Sequence, residues 1–303
     1  DVCSSDLDAL NDATVTFIRM DRTYMSQQVS RVGVTVSKFQ GMMPSELLRG
    51  LRLLGIEFIE INRDIFEEID AVANNLGAMR TAFHLPLIAE DGWDFSCLDY
   101  RDDITTTIQT INQYKEKLRI QHVVSHPPEP ALLSDPQRSS INFLYDNLAK
   151  LNVPVYLENV PGMVPDEFLS LYWSSHKALG PQLAGMCFDA PHFFVTGHNP
   201  IETFTSFADH VGCIHLSDCL HDKDVHLPFN SGGELPVNEF LQTLEAHRFN
   251  GYVTLEIKPK SLQDIDAYIE SYVTTLRHVN YKKYLKTKLR LFALRPILNR
   301  FAA

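Results

Sequence analysis

Short apolar runs rich in β-branched residues alternate with helical patterns along the chain from Arg31 onward. Eight of these runs predict strands, because each is short and is bounded by polar or turn-forming residues. They occupy residues 31–37, 58–62, 81–86, 122–128, 155–160, 184–190, 212–218 and 251–257. Between them, stretches such as "PSELLRGLRLLG" and "PVNEFLQTLEAHRF" place apolar residues at the 3.6-residue period of a helix. Regular strand–helix alternation predicts a parallel sheet.

The number of units selects among folds with parallel sheets. Eight strand–helix units fit a single (β/α)8 TIM barrel better than an open doubly wound sheet. An open sheet commonly has a glycine-rich phosphate loop after its first strand, and the turn "SKFQGMMP" does not match that fingerprint. We therefore predict one α/β domain over residues 25–303, a TIM barrel with an extended C-terminal helix from about residue 276.

The first residues differ from the pattern that follows. "DVCSSDL" fits no predicted element, whereas "MSQQVSRVGVTVS" resembles a natural beginning, which makes Met25 the candidate start. We interpret residues 1–24 as a non-native or disordered leader and leave them out of the fold prediction.

Charge and cysteine content restrict the classes of partner. A formal net charge of −11 provides no overall attraction for nucleic acid or an anionic membrane. No run approaches the roughly 18 apolar residues of a membrane span. The five cysteines are scattered without a C-x-x-C pair, which predicts reduced thiols in a cytoplasmic protein.

Polar side chains mark the carboxyl ends of the predicted strands, where TIM barrels have their active sites. Every strand from the third to the eighth ends in a carboxylate or an imidazole, and the loop after the seventh adds a D-x-H pair. These residues are His84, His126, Glu158, Asp189, His192, His215, Asp224, His226 and Glu256. A single histidine at such a position is usually structural, but six consecutive strand ends predict a divalent metal site. Because none of these ends carries cysteine, a structural cysteine-rich zinc site is disfavoured.

The ordered motifs resemble a known group of barrels. "HLP", "SHPP", "LEN", "FDAPH", "IHLSD", "DVH" and "LEIKP" resemble the xylose isomerase-like TIM-barrel superfamily, over residues 31–275. That superfamily includes sugar and sugar-phosphate isomerases and epimerases, and also the endonuclease IV type, AP endonuclease family 2.

The isomerase branch implies one catalytic ion. By resemblance, Glu158, Asp189, His215 and Glu256 would hold it, and His192 would orient the substrate. Glu158 and Glu256 would shuttle a proton through an enediolate that the metal stabilises.

The endonuclease branch implies up to three ions for cleavage of abasic DNA or another phosphate ester. One ion would be held by His84, His126 and Glu158, and a second by the four residues of the isomerase set. A third would be held by His192, Asp224 and His226.

The loops favour the isomerase branch. A nuclease needs basic and aromatic loops to grip a duplex, but "SKFQGMMP" and "NRDIF" are short and "LIAEDGWDF" is acidic. Trp93 is interpreted as a lid over a small substrate. We therefore expect an isomerase or epimerase that uses Zn, Mn, Mg or Co on a sugar or sugar phosphate. A homo-oligomer is compatible with the sequence, and a barrel that binds metal or sugar without turnover is the third alternative.

Overall fold

Eight parallel strands close into a barrel in the computed structural model, which describes residues 31–128 and 138–298. The strands are β1 (Arg31–Val36), β2 (Phe58–Ile61), β3 (Arg80–His84), β4 (Ile120–Ser125), β5 (Val155–Glu158), β6 (Leu183–Asp189), β7 (Val211–Leu216) and β10 (Tyr252–Leu255). Each strand is hydrogen-bonded to its neighbours in the order β1-β10-β7-β6-β5-β4-β3-β2, and β2 pairs with β1 to close the ring. This architecture confirms the predicted (β/α)8 TIM barrel.

Helices follow the strands around the barrel. They are α1 (Pro44–Leu54), α2 (Ile69–Asn75), α3 (Ile88–Asp91), α4 (Arg101–Leu118), α5 (Ile141–Leu148), α6 (Pro165–Leu179), α7 (Ala190–Val195), α8 (Pro200–Phe207), α9 (Val237–Ala246), α10 (Ile265–Val279) and α11 (Tyr281–Leu298). In α1, Pro44 stands at the first helical position and Gly55 ends the helix at φ 82°. Within the described ranges, no helix is long and apolar enough to cross a membrane.

Three parts of the chain differ from the prediction or lie beyond it. An antiparallel hairpin, β8 (Asp218–Leu220) and β9 (Lys223–Leu227), occupies the segment after β7 that the sequence analysis treated as a loop. The extended C-terminal helix predicted from about residue 276 is divided, because α10 ends at Val279 and α11 begins at Tyr281. The predicted leader and the candidate start at Met25 lie outside the described residues.

Two apolar regions stabilise the barrel. The larger one lies between strands and helices and is rich in phenylalanine, including Phe188, Phe204 and Phe240, whose rings pack on one another. The smaller one lies inside the barrel and contains Val124, Cys187 and Cys213. Since successive side chains of a strand point to opposite faces, the residues two positions beyond these also face inward. The apolar interior therefore gives way to polar side chains toward the carboxyl end.

Candidate metal centre

The strands bring the predicted residues to one end of the barrel. His84, Glu158 and Asp189 are the last residues of β3, β5 and β6. His126 and Glu256 directly follow β4 and β10, and His215 is the penultimate residue of β7. Because all eight strands are parallel, these positions converge on the carboxyl-end mouth.

Four of them form a compact cluster. One donor atom each from Glu158, Asp189, His215 and Glu256 lies within 4.8 Å of the others. His215 Nδ1 lies 2.9 Å from Glu158 Oε1 and 3.3 Å from Glu256 Oε1. Glu158 and His215 are completely buried, and Asp189 is 1% exposed. Three carboxylates and one imidazole thus share a small, largely dry space.

Glu60 holds the imidazole of His215 from the opposite side, a contact that the sequence prediction missed. Its Oε2 atom lies 3.1 Å from His215 Nε2, while Oε1 is buried with no hydrogen-bond partner. With Nε2 donating to Glu60, Nδ1 is the nitrogen that faces the carboxylates of the cluster, and it would bind an ion after losing its proton, as in the carboxylate–histidine pairs behind many protein metal ions. The signal was present in the sequence: a lone glutamate between isoleucines in "FIEIN".

The polar residues of "CFDAPHFF" serve both the local helix and the metal cluster. The carboxylate of Asp189 caps α7 by accepting the backbone N–H of His192 at 2.6 Å. His192 Nδ1 in turn approaches the backbone carbonyl of Asn159 at 2.7 Å. Asn159 was not predicted as a site residue, yet its side chain makes both amide hydrogen bonds to the Asp189 backbone, at 2.8 and 2.9 Å. Asn159 therefore joins the ends of β5 and β6.

A second group lies beside the first. His126 Nε2 is 2.8 Å from Glu158 Oε2, and His84 Nε2 is 3.4 Å from the same oxygen. The donor atoms of these three residues also lie within 4.8 Å of one another. Glu158 therefore faces histidines with each of its two oxygens.

The β8–β9 hairpin carries the last two predicted residues. Asp224 Oδ2 lies 3.3 Å from both His192 Nε2 and His226 Nε2. His226 has a φ of 49°, which is uncommon for a residue other than glycine, and its carbonyl accepts the backbone N–H of Lys258. Among the described residues, this trio is not one of the groups whose donor atoms all lie within 4.8 Å.

Two cysteines lie directly below the cluster. Cys187 and Cys213 are register partners on β6 and β7, two residues before Asp189 and His215. Their sulfur atoms and one nitrogen of His215 lie within 4.8 Å of one another. The sequence analysis treated these cysteines only as scattered reduced thiols. The period of two along each strand was the signal that places them there.

Proximity and burial shift the pKa values of the cluster in opposite directions. Burial opposes ionisation of Glu158, but the imidazoles of His215 and His126 hold its pKa well below the ordinary value. Burial raises the pKa of Asp189 well above the ordinary value. Burial also opposes a charge on His84, yet the hydrogen bond and attraction from Glu158 raise its pKa to about 9. Bound protons therefore offset part of the negative charge when no cation is present.

The donor set fits a divalent cation. Carboxylate oxygens and imidazole nitrogens suit zinc, manganese and similar ions, and two donors of one ion lie at most about 4.2 Å apart. The donor atoms of Glu158, Asp189, His215 and Glu256 lie within 4.8 Å of one another, so these four residues would hold the ion. A cation would also replace the protons that now offset the crowded carboxylates.

The side chain of Trp93 is buried and does not lie exposed over the carboxyl-end mouth of the barrel. It is 4% exposed and stacks on Tyr100, with ring centroids 5.5 Å apart. The guanidinium of Arg63 lies 4.9 Å from its ring centroid. The lid role of Trp93 stays a prediction. Closer to the site, Lys258 forms an ion pair with Glu90, which joins the segment after β10 to α3.

The chain matches one protein family and resembles several solved barrels. Residues 49–277 match the family described as xylose isomerase-like TIM barrel. A xylose isomerase domain protein from Planctomyces limnophilus is 18% identical with a TM-score of 0.59, over 83% of this chain and 98% of that one. D-allulose 3-epimerase from Methylomonas sp., in complex with D-allulose, is 13% identical with a TM-score of 0.57, over 84% and 97%.

A member of AP endonuclease family 2 from Brucella melitensis is similar to the same degree. It is 12% identical with a TM-score of 0.59, over 77% of this chain and 94% of that one. No curated protein matches the sequence. At these identities, the structural likeness establishes a shared fold.

Proposed function

Because this chain belongs to the xylose isomerase-like TIM barrel family, we propose that it is a divalent-metal-dependent isomerase or epimerase of a small sugar or sugar phosphate. The observation that carries the proposal is the cluster of Glu158, Asp189, His215 and Glu256. It combines a donor set for one ion with two glutamates that can exchange a proton with carbon.

The two glutamates divide the work of proton transfer. An ion held by the cluster would polarise a carbonyl and its neighbouring hydroxyl, which lowers the cost of removing the proton from the carbon beside them. Glu158 has a depressed pKa and is ionised at neutral pH, so it can accept a proton. Glu256 lies across β6 and β7 from Glu158 and is the second acid–base group. A substrate between the two glutamates would lose a proton from carbon to one carboxylate. The proton would then return to carbon from the other carboxylate or from the same one.

The surroundings favour a small substrate. The four donors lie at the bottom of the mouth, where burial excludes most water and so protects a carbanion-like species from side reactions. His192 and Asp224 stand next to the cluster and supply hydrogen-bonding groups for hydroxyls. Lys258 at the rim is already paired with Glu90, which favours an uncharged sugar over its phosphate. The D-allulose bound to the epimerase from Methylomonas sp. supports the same class of ligand.

The second candidate is a phosphodiesterase of the endonuclease IV type. The grouping of His84, His126 and Glu158 favours it, since a second ion could bind there beside the first. The looser trio around Asp224 gives weaker support for a third ion.

Duplex recognition has less support. Trp93 is buried, so it is not placed to wedge a base stack. Lys38 and Arg63, the cations of the first two loops, are paired with Glu67 and Asp103. These pairings leave little free positive charge in the two loops for phosphates.

Carbon-bound proton exchange tests the proposal. A panel of ketoses and their phosphates would be incubated, one at a time, with the metal-loaded protein in D2O. NMR would measure deuterium incorporation at the carbon next to the carbonyl. At least one sugar should exchange, and Glu256→Gln should slow exchange about 10²–10⁴-fold, because an amide cannot accept the proton. Glu239→Gln, on the exposed face of α9, is the matched control with unchanged exchange.

The same preparations separate the two candidate functions. Duplex DNA with an abasic site should stay intact in the presence of Mn²⁺ or Zn²⁺. Incision of that DNA without any sugar exchange, abolished in Glu256→Gln, would reverse the choice.

A further inference from the structure

The C-terminal helix α11 is strongly basic in an acidic protein. Its six cations are Lys282, Lys283, Lys286, Lys288, Arg290 and Arg295, and it contains no aspartate or glutamate. The whole chain has a formal net charge of −11. Lys283 pairs with Glu57, whereas Lys282, Lys286 and Lys288 form no ion pair within the described part of the chain. The helix therefore presents uncompensated positive charge.

An apolar stripe runs along the outer face of the same helix. Leu285 is 46% exposed, Leu289 is 72% exposed and Phe292 is 77% exposed. At about 100° per residue, these three side chains lie within about 60° of one another around the helix axis. A contiguous exposed apolar patch that is bordered by polar residues commonly marks a site of interaction with a protein or a membrane.

The opposite face of α11 packs on the protein. Thr287, about 200° around the helix from Leu285, is 3% exposed. Contacts with α1 and α10 fix this inner face. The outer stripe therefore does not result from a detached helix, and its direction is set by the barrel.

Cations line both sides of the stripe. Lys288 lies about 60° to one side of Leu285, and Lys282 and Lys286 lie about 60° and 100° to the other. A long lysine side chain can lay its methylene groups along an apolar surface while its ammonium stays in water. Exposed leucine and phenylalanine side chains flanked by lysines are features by which a helix binds a bilayer interface.

The charges around the stripe indicate which kind of partner binds it. A second copy of the chain, paired through this stripe, would bring two cationic helices together, and their repulsion would oppose the contact. Nucleic acid would satisfy the lysines but leave Leu289 and Phe292 in water. We propose that α11 docks the protein reversibly on a membrane surface that contains anionic phospholipids, with Leu285, Leu289 and Phe292 entering the headgroup region.

Vesicle binding tests this proposal with the full chain. Co-sedimentation would compare vesicles of phosphatidylcholine alone with vesicles that contain one third phosphatidylglycerol. The protein should bind only the anionic vesicles, and 0.5 M NaCl should release most of it through screening. Leu289→Glu with Phe292→Glu should lower the partition coefficient at least about tenfold. Lys286→Ala with Lys288→Ala should lower it about 25-fold, since each cation near an anionic surface contributes about fivefold.

A matched control uses another exposed apolar side chain. Trp173→Glu with Ser174→Glu introduces the same charge change on α6 and should bind vesicles as the unsubstituted protein does. Circular dichroism and sugar exchange should be unchanged in all variants, which separates loss of docking from loss of fold. Three outcomes would overturn the proposal: no sedimentation with anionic vesicles, equal binding to both vesicle types, or a dimer in light scattering that the α11 double variants dissociate.

Discussion

Glu60→Gln is the substitution that most sharply tests how the metal centre is built. Glu60 is 1% exposed, and its Oε2 atom lies 3.1 Å from His215 Nε2, behind the nitrogen that faces Glu158 and Glu256. Glutamine has nearly the same shape and can still accept a hydrogen bond from Nε2. It removes the negative charge that makes the imidazole a stronger donor to a cation.

The expected effect follows from that loss of basicity. Replacing a carboxylate that holds a metal-ligating histidine typically costs 10–100-fold in metal affinity. This range equals about 1.4–2.7 kcal/mol of binding free energy. Because Glu60 has one unpartnered buried oxygen, the metal-free protein should lose little unfolding free energy when this charge is removed. Glu60→Gln should therefore lower the metal affinity while leaving the unfolding free energy of the metal-free protein nearly unchanged.

Competition with a chelator measures the first quantity, and urea unfolding of metal-free protein measures the second. Thr254→Val is the control, since Thr254 donates to the same Glu60 oxygen over a longer distance of 3.4 Å without approaching the cluster as a ligand. It should change the metal Kd less than about threefold. A Glu60→Gln protein that binds Mn²⁺ or Zn²⁺ as tightly as the unsubstituted chain would refute the role assigned to Glu60 in supporting His215.

Three further predictions concern the pH dependence of stabilisation by metal, proton release on metal binding and the apolar core. The rise in Tm caused by Mn²⁺ should grow between pH 6 and pH 8, because the raised pKa values of Asp189 and His215 mean that protons compete with the ion; a constant rise would contradict those shifts. Isothermal titration in buffers of different ionisation enthalpy should show net proton release on metal binding, and proton uptake would count against it. Phe204→Ala should lower the unfolding free energy by about 3–5 kcal/mol in urea without changing metal content, because Phe204 is fully buried among phenylalanines; a loss below 1 kcal/mol would show that the core relaxes around it.

Much of the fold could be predicted because its signals are local. Each strand is a short apolar run, and each helix repeats its own period, so the order of elements follows without knowledge of distant contacts. The ends of strands are equally local, which is why the residues at Glu158, Asp189 and Glu256 could be selected as neighbours. Parallel strands in one barrel bring such ends together irrespective of their separation in sequence.

The rest depends on contacts between strands. Glu60 lies in the middle of β2, and only the barrel geometry aims it at His215. Asn159 acts through the backbone of Asp189 on the next strand, a contact that no spacing within "LEN" reveals. The burial of Trp93 likewise depends on Arg63, which comes from the segment after β2, as well as on Tyr100 of its own segment. Side-chain direction in loops is set by packing against distant residues, so it could not be predicted from local sequence patterns.

Metal content per chain tests the one-ion isomerase most directly. Elemental analysis of protein purified without chelator should find close to one divalent ion per chain. His126→Ala and His226→Ala should keep that content while sugar exchange falls about 10–100-fold, since both side chains lie beside the ligands in this account. Two or three ions per chain, decreasing in step with each substitution and accompanied by incision of abasic DNA, would contradict it.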